Sequence, residues 1–501
     1  MVQGLRYTQS MKHADGWHVD RPKEECGVLG LYTPGGEAAR LAFFALFALQ
    51  HRGQESAGIA VSDGHQVRMH KDMGLISHVF NEEILAGLPG HMAVGHTRYS
   101  TSGSSVLRNA QPIYCTSVVG EIAVAHNGNL INAAELRKEL EDEGDRLDTT
   151  ADSEVIARLL VKNLHRGVEE AVAATMARLK GAYSVTVLTP NMVLGFRDPR
   201  GVRPLVAGRV GDGYMVASES CAFYPVGGEA EHEIGPGEVV IIDEKGMRFA
   251  CAARDQGETM CLFEYIYFAR PDSVMRGKEL YEVREAMGRG LAKEHPVDAD
   301  LVVPVPDSGI PAAHGFSEVS GIPFHEAMMK SRYIHRTFIQ PDQRMRELGV
   351  RMKLAPLKHQ IDGKRIVLVD DSIVRATTTK QIVKLMFDCG AKEVHVRITA
   401  PPIKFPCFYG IDMASKSELA AATMTIAQIQ EHLQATSLGY LSIEGATQAA
   451  GERNGKFCLA CFNGKYPIEV PEGLTKLAFE EPPNIGQFAT VTTGQLRLIE
   501  D

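Results

Sequence analysis

No stretch of this 501-residue chain is long and apolar enough to span a membrane. The first 25 residues lack the apolar core of a signal peptide, so a cytoplasmic location without membrane partners is expected. There is no basic block either: 53 Lys and Arg stand against 62 Asp and Glu, and the net charge of −9 argues against nucleic acid as the main partner. Without a secretory signal, the nine cysteines are not expected to form a disulfide framework. Only one close pair occurs among them, Cys458 and Cys461, and a zinc ribbon would want a second. No internal repeats occur. What remains is a chain long enough for two or three domains with good cores.

Cys26 is the most informative residue present. It follows a polar segment, Met1 to Glu25, and opens the Gly-rich apolar run Cys26-Gly27-Val28-Leu29-Gly30-Leu31. The preceding segment reads as something to be removed. Cleavage after Glu25 would leave Cys26 with both a thiol and a free α-amine. Such an amine, with an ordinary pKa near ~8, can take the thiol's proton without a separate histidine. The ordinary alternative is a buried structural cysteine.

Three downstream segments favour the nucleophile: Gly95-His96-Thr97-Arg98-Tyr99, Ala125-His126-Asn127-Gly128-Asn129 and Thr149-Thr150-Ala151-Asp152. Asn127 offers a side-chain donor and Gly128 an approachable backbone N–H for an oxyanion. Arg98 can grip a carboxylate through two parallel hydrogen bonds, and Asp152 can accept from an ammonium. Singly, these are a turn, a surface charge and a helix cap. With Leu49-Gln50-His51-Arg52-Gly53-Gln54-Glu55-Ser56-Ala57-Gly58, the set resembles the class II glutamine amidotransferase domain, matched from Cys26 to about Ile241. The resemblance implies an N-terminal-nucleophile αββα sandwich over 26–255, with Cys26 as nucleophile, and removal of the 1–25 propeptide by the chain itself.

The second half carries different chemistry. Arg365-Ile366-Val367-Leu368-Val369-Asp370 suits a parallel strand buried on both faces. Asp370 and Asp371 follow, then small and hydroxylated residues. After these comes a helix whose apolar face is Ile382, Leu385, Met386 and Cys389, with Gly390 as C-cap. Glu393–Ile398 reads as the next strand, making a βαβ unit with a phosphate-sized loop at the strand's carboxyl end. Backbone N–H groups from Ala376 through Thr377, Thr378 and Thr379 would cradle a phosphate. The two acids fit a sugar diol and an oxygen-ligated Mg²⁺. The alternative is an ordinary turn whose acids merely cap the helix.

This segment resembles the phosphoribosylpyrophosphate (PRPP) motif of type I phosphoribosyltransferases, with Ala376 where relatives usually have Gly. The resemblance implies a mostly parallel α/β domain over 256–465. It extends to Leu301–Gly309, where Ser308 would reach the pyrophosphate or join Asp370 and Asp371 on Mg²⁺. It also extends to a lid from Lys330 onward, with Arg332, Tyr333 and Arg336 on PRPP and His335 in place of a Gly. Arg375, Arg351 and Lys353 are further PRPP candidates.

Together the halves resemble the glutamine PRPP amidotransferase family. That family cuts ammonia from glutamine and passes it internally to C1 of PRPP, giving 5-phosphoribosylamine, the first committed step of de novo purine synthesis. Feedback by purine nucleotides and a homo-oligomer, dimer or tetramer, are implied. By themselves Cys458 and Cys461 could be a redox pair, half a zinc site or two cluster ligands. The family has a branch with a [4Fe–4S] cluster, and likeness to it implies Cys261, Cys407, Cys458 and Cys461 as ligands. The stretch 466–501, rich in proline and acids, reads as a surface tail. A sugar-phosphate or asparagine-forming amidotransferase is opposed by the Asp370-Asp371 motif. A non-catalytic PRPP sensor would leave Cys26, Arg98, Asn127 and Asp152 idle.

Overall fold

The computed structural model describes residues 26–99, 105–117, 120–331, 354–411, 413, 415–451 and 456–471. The leader 1–25 and the lid residues Arg332, Tyr333, His335, Arg336, Arg351 and Lys353 lie outside the described residues.

The first half is two stacked antiparallel sheets. One has seven strands and is built around Gly27–Tyr32, flanked by Met92–Arg98 and Gly213–Ala217. The other has six, with Gly120–Leu130 paired to Gly181–Leu188. Small and β-branched residues (Val28, Ala60, Val94, Ala123, Ala125, Val240) fill the space between the sheets. Small side chains there let the sheets approach closely, as face-to-face packing requires. The Ala-rich helix Ala38–Ala48 covers the outer face of the first sheet. Asp152–Asn163 and Val168–Met176 cover the other, completing four layers.

The second half holds a four-stranded parallel sheet, Leu301–Pro304, Arg365–Asp370, Glu393–Ile398 and Ser437–Tyr440 in that spatial order. Ile366, Val367, Leu368 and Val369 are all fully buried, as a strand covered on both faces demands. The helix Thr377–Asp388 buries Ile382, Leu385 and Met386, and Gly390 follows it at φ +95°. The core of this half takes in Ile131, Ala182 and Val202 of the first, so one apolar cluster crosses the junction. The stretch after Tyr466, expected at the surface, begins packed. Ile468 N–H donates to Tyr409 Oη at 3.0 Å and Tyr466 Oη donates to Pro406 O at 2.7 Å, so two tyrosine hydroxyls find their partners there.

Candidate active sites

Cys26 stands at the entrance to its strand, and strand register puts Gly27 opposite Thr97, bringing Arg98 alongside Cys26. Asp152 is buried at the first turn of its helix; its Oδ2 accepts from Leu130 N–H at 3.0 Å and its Oδ1 lies 3.6 Å from His126 Nδ1. Arg98 and Asp152 both act on the thiol through their charges, so the strand edge, Asp152 and the 126–130 stretch share one end of the sandwich. Burial opposes ionisation of Asp152. His126, the Leu130 N–H and Arg98 nonetheless hold its carboxyl below the usual range.

The thiol is enclosed. Cys26 Sγ donates to Tyr99 O at 3.3 Å, and burial pushes its pKa up to about 11. Near neutral pH it carries its proton and needs a base. Asn127 is 0% exposed, yet neither its Oδ1 nor its Nδ2 has a hydrogen-bond partner. An orphaned amide in a packed interior costs roughly 1–3 kcal/mol, and the Asn127 Nδ2 has a donor to offer an oxygen brought by a ligand. Next to it, Gly128 has φ +144°, and a Cβ there would sit 2.0 Å from Ala182 O. No side chain fits at Gly128. A Cβ on Gly410, from the second domain, would in turn meet the Gly128 backbone at 2.9 Å.

Sequence reading missed a buried charge cluster beside this site. Arg52 Nε donates to Cys26 O at 3.1 Å, and Arg52 pairs with Glu219 and with Glu264, at 2.6 Å to the latter. Arg203 approaches Glu264 at 3.5 Å and donates to Tyr409 O at 2.9 Å. Burial opposes the Glu219 charge, but His51 and Arg52 draw its carboxyl far below the usual range. Removing one member of such a pair strands the others, typically at about 3–5 kcal/mol. One signal was available: Glu264 is the lone acid in Cys261-Leu262-Phe263-Glu264-Tyr265-Ile266-Tyr267-Phe268, and a lone charge in an apolar run needs a buried partner.

At the carboxyl end of the parallel sheet, Asp370 and Asp371 are buried, and Ser308 Oγ donates to Asp371 Oδ2 at 2.5 Å across neighbouring strands. Ser372 Oγ donates to Asp371 Oδ1 at 2.6 Å. The helix that follows has Ala376 at its N-cap, a residue with no side-chain hydrogen bond to offer the first turn. Arg375 is engaged by Glu418 at 3.3 Å. Among the described residues no three His, Cys, Asp or Glu gather as for a single metal ion. Two carboxylates and a hydroxyl nevertheless suit Mg²⁺, which takes few protein ligands and keeps waters and phosphate oxygens.

Ala376 adopts φ +64°, the left-handed region that costs a non-glycine residue about 1–2 kcal/mol. Its methyl is fully buried, which returns about 0.8 kcal/mol, and glycine would lose more backbone entropy on folding. Ala376→Gly is therefore expected to change unfolding free energy by less than about 1 kcal/mol, read from urea titration.

The four cysteines of the expected cluster converge. Cys261 lies opposite Cys458 in a two-residue parallel bridge, and Lys404 and Phe405 N–H groups donate to Cys461 O at 2.9 and 3.0 Å. Burial raises the Cys461 thiol well above its ordinary value, and the charges of Cys261, Cys458 and Cys407 add to this. All four are free of disulfides. Three buried thiols and a half-buried fourth, Cys407, fit a cluster, whose irons spread the ligands farther apart than one ion does.

Comparison with known proteins agrees with this geometry. Residues 96–225 match the family model described as a glutamine amidotransferase domain. The chain is 51% identical over 463 residues to an amidophosphoribosyltransferase of Synechococcus elongatus, covering 91% of this chain and 94% of that one. It is 49% identical to that of Archaeoglobus fulgidus, over 89% and 98%. Among solved structures it resembles the glutamine PRPP amidotransferase from B. subtilis complexed with ADP and GMP, with a TM-score of 0.85, 43% identity and coverage of 90% and 99%. A structure described as the allosteric regulatory enzyme of purine biosynthesis gives a TM-score of 0.87 at 42% identity, covering 92% and 100%. With one scaffold carrying both sites and relatives aligned along nearly their whole length, the chain belongs to the amidophosphoribosyltransferase family.

Proposed function

We propose that the two sites divide the family's reaction as follows. The enzyme makes 5-phosphoribosylamine, glutamate and pyrophosphate from glutamine, PRPP and water, at the first step of purine biosynthesis. Arg98 takes the glutamine carboxylate and Asp152 its ammonium. Cys26 Sγ attacks the side-chain amide carbon, its proton passing to the α-amine that removal of residues 1–25 exposes. Asn127 Nδ2 and the Gly128 N–H receive the oxyanion. Collapse breaks the C–N bond, the amine's proton leaves with ammonia, and water hydrolyses the thioester to glutamate. Ammonia then attacks C1 of PRPP and pyrophosphate departs. The N–H groups of Ala376 to Thr379 hold the 5′-phosphate, and Asp370 and Asp371 hold the ribose diol. Arg332, Tyr333, Arg336, Arg351, Lys353 and Arg375 are proposed for the remaining PRPP contacts.

Mg²⁺ on Ser308, Asp370 and Asp371 would neutralise the departing pyrophosphate. A [4Fe–4S] cluster on Cys261, Cys407, Cys458 and Cys461 would tie the C-terminal segment to the domain junction. The ADP and GMP of the B. subtilis complex support purine nucleotides as ligands of this chain too.

The observation that carries the glutaminase assignment is the unpartnered Asn127 amide. Asn127→Ala is expected to lower the kcat for glutamine hydrolysis about 10²–10³-fold. Its thermal midpoint should hold or rise, because an unsatisfied polar group leaves the interior. A variant that loses stability in step with activity would count against the assignment.

A further inference from the structure

We infer that Arg52 is a positioning residue for glutamine cleavage: it holds the nucleophile's own peptide, and the second domain holds Arg52. The inference rests on Cys26 being the nucleophile. Arg52 is 1% exposed, and its Nε donates to the Cys26 carbonyl at 3.1 Å. Its remaining nitrogens meet Glu219 and Glu264, Nη2 reaching Glu264 Oε1 at 2.6 Å. Glu264 belongs to the second half. Glu219 belongs to the first, yet its Oε2 accepts from Arg270 N–H at 2.8 Å and Ser273 Oγ at 2.6 Å. Both carboxylates are thus set by the stretch 264–273. That stretch is pinned in turn by Arg284, which donates to Tyr265 O at 2.9 Å and Ala269 O at 2.6 Å. Arg284 also lies in the field of Asp371, the acid at the PRPP end. A continuous buried chain of contacts therefore runs from the second domain to the Cys26 carbonyl.

The mechanical need is specific to a chain that begins at its nucleophile. An interior residue is tethered through both its peptide bonds. A first residue is tethered through one, and rotation about its Cα–C bond swings the amine and the thiol away from the amide they must attack. Pinning the carbonyl fixes the peptide plane and with it the line of the Cα–C bond, so the one backbone freedom left is rotation about that line, which the Cys26 Sγ hydrogen bond to Tyr99 O opposes. Arginine suits the task, since its planar fork reaches one carbonyl and two carboxylates at fixed angles, which a lysine cannot do. A misplacement of about 1 Å at a reacting atom costs on the order of 10²-fold in rate.

The test uses the full, processed protein. Glu264→Gln is expected to lower the kcat for glutamine hydrolysis about 10–100-fold, with KM for glutamine and synthesis from added ammonia both within about twofold of wild type. Equal losses of the glutamine- and ammonia-dependent rates would show a merely structural role and overturn the inference, as would an unchanged glutaminase kcat. Ser273→Ala removes a single hydrogen bond to Glu219 and is the gentler variant. It should lower the same kcat about 2–5-fold and nothing else, and it decides the matter if Glu264→Gln does not fold. Cys26→Ala is assayed beside them. If that variant still splits glutamine, the nucleophile assignment itself falls, an outcome distinct from failure of the clamp.

Discussion

Cys26→Ala abolishes synthesis from glutamine, by at least about 10³-fold, while synthesis from ammonia stays within about twofold of wild type. The two rates separate because the thiol and the proposed PRPP cradle lie on different sheets, and ammonia supplied from solution needs only the second. The size of the loss follows from the chemistry. Without sulfur there is no acyl intermediate, and the amide must be hydrolysed directly. The intact enzyme should also show a pH signature. A buried thiol with a pKa of about 11 would give a rate still rising beyond pH 10 if it had to ionise unaided. With the α-amine as base, the rising limb should centre nearer ~8, where that group loses its proton. A limb near 11 would mean that the amine takes no part. Measuring glutamate release against pH on a sample whose N-terminus has been sequenced separates the two.

Asp371→Asn should do the converse. Formation of 5-phosphoribosylamine falls about 10²–10³-fold from either nitrogen source, while Cys26 keeps its capacity to split glutamine. Asparagine preserves the shape and one acceptor for Ser308 and Ser372, so the local fold is kept and the charge is what is lost. Pyrophosphate release with ammonia as donor is the cleanest readout. If the ammonia-dependent rate survives, the acids have another role, and Asp370→Asn becomes the variant to examine. Adding Mg²⁺ at high concentration should recover part of the activity if Asp371 is a ligand, because mass action offsets a weakened metal site. It should recover none if the residue only shapes the loop.

The parts of both sites that were legible in the sequence are those whose chemistry is local. Asp370, Asp371 and the phosphate loop fall within ten residues, and the helix after them shows its buried face through Ile382, Leu385 and Met386. The Cys26 strand is likewise legible, because Gly-rich apolar runs at a chain's working end have few uses. Helix ends were less so. The α-helix that opens at Asp152 stops at Asn163, and Gly167 turns away at φ +95°. The next, from Val168, stops at Met176. Lys180 gives its N–H to Asn132 Oδ1 and its carbonyl to Ile131 N–H, both at 2.9 Å, so tertiary bonds replace helical ones. The Arg52–Glu264 pair was out of reach for the same kind of reason. Its members lie 212 residues apart, and no local pattern says which distant charge will neutralise which.

The glycine pair Gly128 and Gly410 sets a limit on how this protein could be taken apart or rebuilt. Asn129 Nδ2 donates to Phe408 O at 2.9 Å beside that contact, so the Asn127-Gly128 turn leans on a loop contributed by the second half of the chain. Residues 26–251 expressed alone would uncover the turn and leave Arg52 without Glu264. Grafting the glutaminase half onto a foreign synthase would fail at the same seam unless the recipient brought its own glycine-bearing loop. Descent is constrained in the same way. A side chain gained at either glycine must be answered by retreat of the facing backbone, so the two are expected to be inherited as a unit although they stand in different halves of the chain.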